Sequence, residues 1–333
     1  MPQKILLLDV SHLFFRAFFA IPQTLTNGNG EAINAVFGVS SMLLSLIETE
    51  HPQYIFGAKD EKEKTKRHEL VPEYKGHRPE MPDALVGQLS KIFDIFDAFQ
   101  IPLFSEAGYE GDDFLATISE KYRKNAEYEI GIVSGDHDAF QLVADNVEVF
   151  LPQNGGKPAL HLDRNGIYGK LGVYPEQVVD YKAMVGDSSD NLKGIDGIGP
   201  KTAAKLLAEY QTLEKILENA DRIPGKLGEK LQMGKDIAIL TKEMVTLHRN
   251  LELPNFGIEK GNVKNIDPHK LETFFRMYNF HSLINRLTKA FKKGENSAEE
   301  KEEEALWGEL EAAQKTKFSG VRKKEHDDQM SMF

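Results

Sequence analysis

Residues 108–116 read Gly-Tyr-Glu-Gly-Asp-Asp-Phe-Leu-Ala and place three carboxylates within four positions. Apolar residues follow at helical spacing, which predicts Asp112 and Asp113 in the first turn of a helix, where the helix dipole favours negative charge. A helix cap accounts for one carboxylate and leaves the other two unexplained. Carboxylates this close repel one another unless cations neutralise them, and oxygen ligands suit Mg²⁺ or Mn²⁺. The stretch therefore favours a metal site over simple capping.

The composition of the 333-residue chain limits the kinds of site it can hold. It has no cysteine, which excludes disulfides, thiolate catalysis and cysteine-based zinc sites. The apolar run at residues 5–8 is too short for a signal peptide or a membrane span, so we expect a cytoplasmic protein without membrane contact. The net charge of −11 argues against a nucleic-acid partner, but residues 294–333 contribute −5 of it, from 11 acidic and 6 basic residues. Local basic stretches are therefore more informative than the total.

Three apolar runs, at residues 5–8, 54–59 and 129–134, are predicted to be buried strands of a parallel sheet. Each run is followed by an aspartate. These residues are Asp9, Asp60, Asp136 and Asp138. Asp136 and Asp138 are two apart, so in a locally extended segment their side chains share a side. Ligands of open α/β sheets bind beyond the carboxyl ends of the strands, so the repetition favours a common acidic site over three separate turn or cap residues.

Residues 59–82, between the second and third predicted strands, are dense in charge. Their cationic side chains include Lys62, Lys64, Lys66, Arg67, Lys75 and Arg78. Glutamates interleaved with them, Glu61, Glu63, Glu69 and Glu73, keep open the interpretation as a solvated helix face. The functional interpretation is a basic arm that binds phosphates, with Tyr74 available to stack on a base. Its position beside the acidic stretch favours the second interpretation, because a polyanion needs cations to approach carboxylates.

Residues 185–204 contain a second acidic motif and a glycine-rich hairpin. Asp187 and Asp190 are three residues apart, which predicts that they share one side of a helical turn. The hairpin begins at Gly194 and opens a predicted helix with Lys201 and Thr202 in its first turn, where backbone N–H groups face a phosphate. The spacing is not that of a Walker A loop, so a helix–hairpin–helix type contact with a DNA backbone fits better.

The sequence predicts three parts. Residues 1–175 form a catalytic α/β domain with an arch at 61–82, and residues 176–290 form a helical duplex-DNA-binding subdomain that contains the hairpin at 194–204. Residues 291–333 form an acidic, mostly disordered tail. The tail ends in Gln-Met-Ser-Met-Phe at 329–333, which is either a terminus without function or a short motif for a partner's pocket.

With these motifs the chain, from about residue 4 to residue 287, resembles the 5′-nuclease family, and most closely the 5′→3′ exonuclease domain of bacterial DNA polymerase I and its flap-endonuclease relatives. The matching motifs lie at residues 7–9, 75–82, 110–113, 135–138 and 186–191. The resemblance implies a PIN-like α/β fold: a mostly parallel sheet flanked by helices, a helical arch and a helical helix–hairpin–helix-type subdomain. No polymerase domain follows, so a free-standing nuclease is expected.

The resemblance also implies two Mg²⁺ sites, with Mn²⁺ as a substitute. The first would be held by Asp9, Asp60, Glu110, Asp112 and Asp113, and the second by Asp136, Asp138, Asp187 and Asp190. Asp60 departs from the family pattern, in which the aspartate directly follows a phenylalanine; here Gly57 follows Phe56, and the spacing selects Asp60. A K⁺ ion is further implied at the backbone carbonyls of Val185, Ile195 and Ile198.

Two-metal hydrolysis of DNA 5′ ends, flaps and duplex junctions is the implied reaction, with roles in RNA-primer removal, Okazaki fragment processing and repair. Lys75 and Arg78 would be catalytic, adding positive charge at the scissile phosphate. The implied DNA-binding residues are Arg16, Arg67, Tyr74, Lys75, Arg78, Gly197, Gly199, Lys201 and Thr202. The C-terminal pentapeptide resembles the motif that binds the bacterial sliding clamp, through Gln329, Met330, Met332 and Phe333, with methionines replacing the near-isosteric leucines. We expect a monomer in the bacterial cytoplasm, associated with the nucleoid.

Three other functions remain open on the sequence. A PIN-like ribonuclease shares acids at strand ends but lacks the hairpin. A non-catalytic junction-binding protein would bind DNA without metal-dependent cleavage, and the complete set of acids argues against it. A phosphatase of small substrates would have no use for a basic arm.

Overall fold

The computed structural model describes residues 2–153 and 159–291. Its strands are β1 (Gln3–Asp9), β2 (Tyr54–Ala58), β3 (Leu103–Phe104), β4 (Tyr128–Val133), β5 (Val147–Leu151), β6 (Leu160–Leu162), β7 (Gly186–Asp187) and β8 (Leu192–Lys193). Its helices in the first half of the chain are α1 (Val10–Ala20), α2 (Asn34–Glu50), α3 (Lys66–Leu70), α4 (Asp83–Val86), α5 (Leu89–Ala98), α6 (Gly111–Tyr122) and α7 (Arg164–Leu171). Those in the second half are α8 (Val178–Val185), α9 (Pro200–Tyr210), α10 (Leu213–Glu218), α11 (Lys226–Met233), α12 (Lys235–Val245), α13 (Pro268–Met277) and α14 (His281–Phe291). The predicted tail motif at residues 329–333 lies outside the described residues.

A six-stranded sheet in the order β3-β2-β1-β4-β5-β6 organises the first half of the chain. Neighbouring strands are parallel, except for the antiparallel pair β5 and β6. The central strand β1 pairs with β2 on one side and with β4 on the other, and its residues Ile5 to Leu8 are fully buried. A continuous apolar strand of this kind is typical of a parallel sheet that is covered on both faces. The predicted α/β class with a mostly parallel sheet is confirmed.

Helix α6 carries the acidic stretch to the sheet. Its buried residues Phe114 and Ile118 belong to the same apolar core as β1 and β2, and Asp112 and Asp113 lie in its first turn, as predicted. Gly111 allows the helix to begin close to the end of β2, because a Cβ atom there would lie 3.3 Å from the backbone of Lys59. The start of α6 and the carboxyl end of β2 are therefore held in close contact.

Two local conformations differ from the sequence prediction. Asp136 and Asp138 do not share an extended segment: Asp136 caps a 3₁₀ helix (His137–Leu142) and its carboxylate accepts a hydrogen bond from the Asp138 N–H at 2.8 Å. Asp187 and Asp190 do not lie on a helical turn either. Gly186 ends α8 with a φ of 85° and begins β7, so Asp187 lies in the hairpin of β7 and β8 and Asp190 lies in its turn. In both places a capping carboxylate or a left-handed glycine overrides the spacing of the acids.

Residues 61–82, here called the arch segment, contain α3 followed by turns. The segment is therefore helical over five residues, and the remainder is tied down by turns. Lys75 has a left-handed backbone, with a φ of 55°, and its N–H donates to the Asp190 carbonyl at 3.0 Å. The Asn191 side chain donates to the Glu73 carbonyl at 2.9 Å. These contacts hold the arch segment against the β7–β8 hairpin.

The second half of the described chain consists mainly of helices. Helix α9 begins at Pro200, directly after Gly199, so the predicted glycine-rich hairpin that opens a helix is confirmed. Lys201 and Thr202 lie in its first turn, and Gly197 in the preceding loop has a φ of 69°. Within the described residues, none of the helices combines the length and apolar character needed to cross a membrane.

Candidate active site at the carboxyl edge of the sheet

A cavity of about 620 Å³ lies where β1, β2 and β4 end. Six of the nine predicted metal ligands line it: Asp9, Asp60, Glu110, Asp112, Asp136 and Asp187. Three cationic side chains line it as well: Lys75, Arg78 and Lys182. Because β1 lies between β2 and β4 in parallel, the acids that follow these strands converge at one edge, as their positions in the sequence predicted.

Four carboxylates that line the cavity are here called the first cluster: Asp9, Asp60, Asp112 and Asp136. Within the described residues, no three of them offer oxygens that all lie within 4.8 Å of one another. Local hydrogen bonds orient two of them. The Asp9 carboxylate accepts from the His12 N–H at 2.9 Å and from the Ser134 hydroxyl at 2.7 Å. The Asp60 carboxylate accepts from the Gly111 N–H at 2.8 Å and from the Ser11 hydroxyl at 3.0 Å. The sheet edge and the start of α6 thus set the position of these oxygens.

No cation of the described chain forms a salt bridge with a member of the first cluster. Burial raises the pKa of Asp9 to about 7, and the nearby carboxylates of Asp60 and Asp136 raise it further. Burial, followed by the charge of Asp9, raises the pKa of Asp112 well above its ordinary value. Buried carboxylates that depress one another's ionisation are a suitable donor set for a divalent cation, which favours their charged forms.

Three further carboxylates form the second cluster: Asp138, Asp187 and Asp190. Each offers an oxygen that lies within 4.8 Å of an oxygen of the other two. Protein cations pair with all three, because Lys182 bridges Asp138 and Asp187 and the Arg78 guanidinium donates to Asp190 at 2.5 Å. Burial raises the pKa of Asp138 to about 7, although Lys182 opposes the rise. Burial also opposes ionisation of Asp187, but Lys182 outweighs it and holds the pKa at about 2.

Asp113 differs from the other predicted ligands because its carboxylate is fully buried and does not line the cavity. One of its oxygens accepts from Arg67 and from the His248 N–H, each at 2.9 Å. The other accepts from Arg67 at 2.8 Å and from the Glu110 N–H at 3.1 Å. Burial opposes ionisation, but the Arg67 guanidinium lowers the pKa of Asp113 below its usual value. With both oxygens occupied, Asp113 holds the arch segment to α6 instead of facing an ion.

The structure gives two predicted DNA-binding residues a different environment from the one expected. Arg67 is 6% exposed and Tyr74 is 3% exposed. The Tyr74 hydroxyl lies 3.1 Å from a Glu110 oxygen and 2.9 Å from an Asp190 oxygen and shares its one proton between them. Its ring is buried, so no face of it is open for a base to stack on. Both residues therefore brace the arch segment against the acids, in place of the expected surface contact with DNA.

The cations predicted to be catalytic pair with acids of the site in this conformation. Lys75 donates to Glu110 at 2.8 Å, and Arg78 donates to Asp190. Arg16 is elsewhere: it lies on α1 and lines a separate cavity of about 470 Å³ together with residues of α2. Lys201, Gly197 and the other predicted hairpin residues are on the second half of the chain and do not line the acidic cavity.

Sequence reasoning missed Lys182, which lines the cavity and joins the second cluster. A signal for it exists in the sequence, because this lysine interrupts the otherwise mostly apolar residues of α8 four positions before Gly186. Long cationic side chains are rarely buried without a partner, so a lysine inside an apolar helix next to an acidic motif indicates pairing. Ser134, which orients Asp9, offered no comparable signal.

Comparison with known families accounts for residues 4–269. Residues 4–172 match the family model described as the 5′-3′ exonuclease, N-terminal resolvase-like domain. Residues 173–269 match the model described as the 5′-3′ exonuclease, C-terminal SAM fold. The chain belongs to the 5′-3′ exonuclease family. The boundary between the two models lies within a few residues of the predicted start of the helical part at residue 176.

The relatives that match the chain differ widely in length, because they include both a 5′-3′ exonuclease and DNA polymerases. The 5′-3′ exonuclease of Aquifex aeolicus is 35% identical over 287 residues, which cover 86% of this chain and 96% of the relative. DNA polymerase I of Caldicellulosiruptor bescii is 37% identical over 286 residues, which cover 85% of this chain and 33% of the polymerase. DNA polymerase I of Bacillus subtilis is 35% identical over 307 residues, which cover 91% of this chain and 34% of the polymerase. The chain thus spans about a third of these polymerases.

Solved structures with the same fold include phage and eukaryotic proteins. The T5 D15 protein co-crystallized with metal ions has a TM-score of 0.60 at 19% identity, covering 88% of this chain and all of the other. The catalytic core of Rad2 in complex with DNA substrate has a TM-score of 0.54 at 15% identity, covering 87% and 93%. These likenesses show a shared overall fold across most of the chain.

Proposed function

We propose that this member of the 5′-3′ exonuclease family is a structure-specific nuclease that hydrolyses phosphodiester bonds at DNA 5′ ends and 5′ flaps with two divalent ions. One observation carries the proposal: six carboxylates and two arch cations, Lys75 and Arg78, face a single cavity at the carboxyl edge of the sheet. The full-length match to the Aquifex aeolicus 5′-3′ exonuclease supports it, and so does the fold shared with proteins crystallised with metal ions or DNA.

The residues of the site fit divalent ions. The first cluster offers only oxygen donors and has no salt-bridge partner in the described chain, so Mg²⁺, or Mn²⁺ in its place, would be held by Asp9, Asp60 and Asp112 with Glu110 beside them. The second ion would be held by the second cluster, with Asp136 between the two. Asp113 is left out of the ligand set because its oxygens are already occupied.

Bound divalent ions supply positive charge that stabilises the attacking and leaving oxygens of the phosphate. The chain's own residues do the rest. The His12 N–H and the Ser134 hydroxyl fix both oxygens of Asp9 and so orient the first cluster. Lys75 and Arg78 stand at the cavity on the arch segment, where exchanging Glu110 and Asp190 for a DNA phosphate would bring positive charge to the scissile group.

The helical half would hold the duplex through its backbone. The first turn of α9 exposes Lys201, and the preceding loop exposes Gly197 and Gly199, so N–H groups at the helix start are accessible to a phosphate. Such contacts position DNA without reading its sequence. We also propose K⁺ at the carbonyls of Val185, Ile195 and Ile198; a hydrogen bond from the Ile195 N–H to the Met184 carbonyl, at 2.8 Å, keeps these two backbone segments together.

The wider roles rest on the family. The proposed activity on 5′ ends would serve RNA-primer removal, Okazaki fragment processing and repair. We propose that the enzyme acts as a monomer. Binding of the sliding clamp by Gln329, Met330, Met332 and Phe333 is proposed from the pentapeptide alone, since these residues lie outside the described part of the chain.

Cleavage of a duplex that carries a labelled 5′ flap tests the proposal. The wild-type chain should release the flap with Mg²⁺ and leave it intact with a chelator. Asp112→Asn should abolish release, whereas Asp97→Asn, which removes one exposed carboxylate from α5, should cleave like wild type. A matched RNA flap should be cut more slowly. An intact DNA flap in the presence of Mg²⁺ would refute the nuclease, and faster cleavage of the RNA would favour a ribonuclease.

A further inference from the structure

Lys182 is a cation built into the second cluster. It lies near the end of α8, is 8% exposed, and its ammonium group bridges Asp138 and Asp187, with a distance of 2.6 Å to the Asp187 carboxylate. It also lines the acidic cavity. A buried lysine at this position reduces the negative charge that the second cluster presents to any other cation.

Hydrogen bonds already occupy most of the second cluster's oxygens. Lys182 and Ser189 donate to the two oxygens of Asp187, and Arg78 and Tyr74 donate to the two oxygens of Asp190. Asp138 accepts from Lys182 through one oxygen. Within the described chain, this leaves a single oxygen, the second one of Asp138, without a donor. A divalent ion at this cluster would take carboxylate oxygens as ligands, so it would have to share them with the donors already present or displace those donors.

The ammonium group and a divalent ion require the same space. Oxygens of the three aspartates lie within 4.8 Å of one another, and the ammonium contacts two of them. An ion bound to both Asp138 and Asp187 would lie where the ammonium lies, because each must approach the same pair of carboxylates. The four-carbon stem of lysine is flexible enough to withdraw the charge without unfolding α8.

We propose that Lys182 competes with the second divalent ion for Asp138 and Asp187, and thereby makes metal binding at the second cluster weaker than at the first and dependent on displacement of its side chain. This inference rests on the proposed two-metal function. A DNA phosphate in the same cavity would give the displaced ammonium a new anionic partner, so substrate and second ion would bind together. Lys182 is thus a positioning residue that sets the order of metal binding.

Titration of the full chain with Mn²⁺, with free Mn²⁺ followed by electron paramagnetic resonance, tests the proposal without relying on activity. Wild type should bind one ion tightly and a second at least about tenfold more weakly. Lys182→Met should tighten the second ion by about tenfold or more and leave the first within about twofold. Lys182→Arg, which keeps the charge, should retain the weak second site.

Lys242 provides a matched control, because its ammonium bridges Asp180 and Glu214, each at 2.6 Å, away from the cavity. Lys242→Met removes the same charge and should leave both affinities unchanged. Circular dichroism and thermal unfolding with Mn²⁺ present establish that the variants are folded. If Lys182→Met does not fold, Lys182→Gln, which keeps a polar side chain without the charge, should show the same tighter second ion.

The outcomes separate this inference from the proposed function. Two equally tight ions in wild type, or an affinity for the second ion that is unchanged or weaker in folded Lys182→Met, would overturn the proposed role of Lys182. Neither result would contradict the proposed two-metal function. A wild-type chain that binds no tight ion, or binds one that Asp9→Asn leaves unaffected, would refute the proposed metal site itself.

Discussion

The first cluster and Asp187 of the second cluster line one cavity, but among the described residues protein cations form salt bridges only with the second cluster. Lys182 and Arg78 balance most of the charge of the second cluster, whereas the first relies on burial and hydrogen bonds from Ser134, Ser11 and backbone N–H groups. Hydrogen bonds orient a carboxylate without cancelling its charge. The difference teaches that counting carboxylates does not give the strength of a metal site, because the protein's own cations decide how much negative charge is left for an ion.

The largest expected effect is the loss of the first cluster. Asp112→Asn should remove tight Mn²⁺ binding and lower the rate of flap cleavage by on the order of 10³-fold, because it removes a buried cavity carboxylate that has no salt-bridge partner among the described residues. Asp190→Asn, which alters the second cluster, should leave the tight ion in place. Parallel Mn²⁺ titration and single-turnover cleavage measure both. Loss of the tight ion in Asp190→Asn, or its retention in Asp112→Asn, would reverse the roles of the clusters.

The next largest effect is on the stability of the fold. It concerns Asp113, which lies outside both clusters. Asp113→Asn should lower the free energy of unfolding by about 3–5 kcal/mol, because it removes the closer of the two carboxylates that pair with the buried Arg67 guanidinium. Urea denaturation measures the change. The folded variant should still bind the tight Mn²⁺ ion, and Asp97→Asn serves as an exposed control. A stable Asp113→Asn protein that has lost the tight ion would identify Asp113 as a ligand after all.

The pH dependence of the metal-free protein gives a smaller effect. The pKa of Asp9 is raised from 3.8 to about 7 in the folded state, so the folded protein holds this proton more tightly than the unfolded chain. The resulting stabilisation is fully present below about pH 4 and is lost as the pH rises towards about 7. With a chelator, the melting temperature of wild type relative to Asp9→Asn should therefore fall by several degrees between about pH 5 and about pH 8.

Saturating Mg²⁺ should remove most of this pH dependence of the melting temperature of wild type relative to Asp9→Asn, because an ion bound to the first cluster favours the ionised carboxylate. Differential scanning calorimetry of the two proteins, with chelator and with Mg²⁺, makes the comparison. A difference in melting temperature that is independent of pH would show that burial does not control the ionisation of Asp9.

The smallest effect lies outside the cavity. Lys201→Ala should weaken DNA binding and reduce the slope of log affinity against log salt by about 1, as expected for the loss of one phosphate contact. Mn²⁺ binding to both clusters should be unchanged, because Lys201 lies on α9 and not at the cavity. Fluorescence anisotropy at several salt concentrations measures the slope. An unchanged slope would exclude Lys201 from the duplex contact.

The sequence predicted the features that local patterns control. Buried strands are recognisable from continuous apolar residues, and the acids that follow β1, β2 and β4 meet because adjacent parallel strands end at one edge. The start of α6 and of α9 was predicted from capping residues and glycines. These signals lie within a few residues of the structure they determine.

Contacts between distant segments were not predictable in the same way. The pair of Arg67 and Asp113 joins residues 46 positions apart, and Lys182 meets Asp138 from 44 positions away. Neither pairing has a periodic signal in a single sequence, so the sequence indicated neither the contact of Asp113 with Arg67 nor the presence of Lys182 at the second cluster. Tyr74 was expected on the surface because its neighbours are charged, whereas its hydroxyl finds two buried carboxylates.

A crystal structure of the DNA-free protein grown with Mn²⁺, with the ion located by its anomalous scattering, tests the account most directly. We predict a strong peak among Asp9, Asp60 and Asp112, with Lys182 still bridging Asp138 and Asp187. A strong peak between Asp138 and Asp187, with Lys182 turned away and no ion at the first cluster, would contradict it.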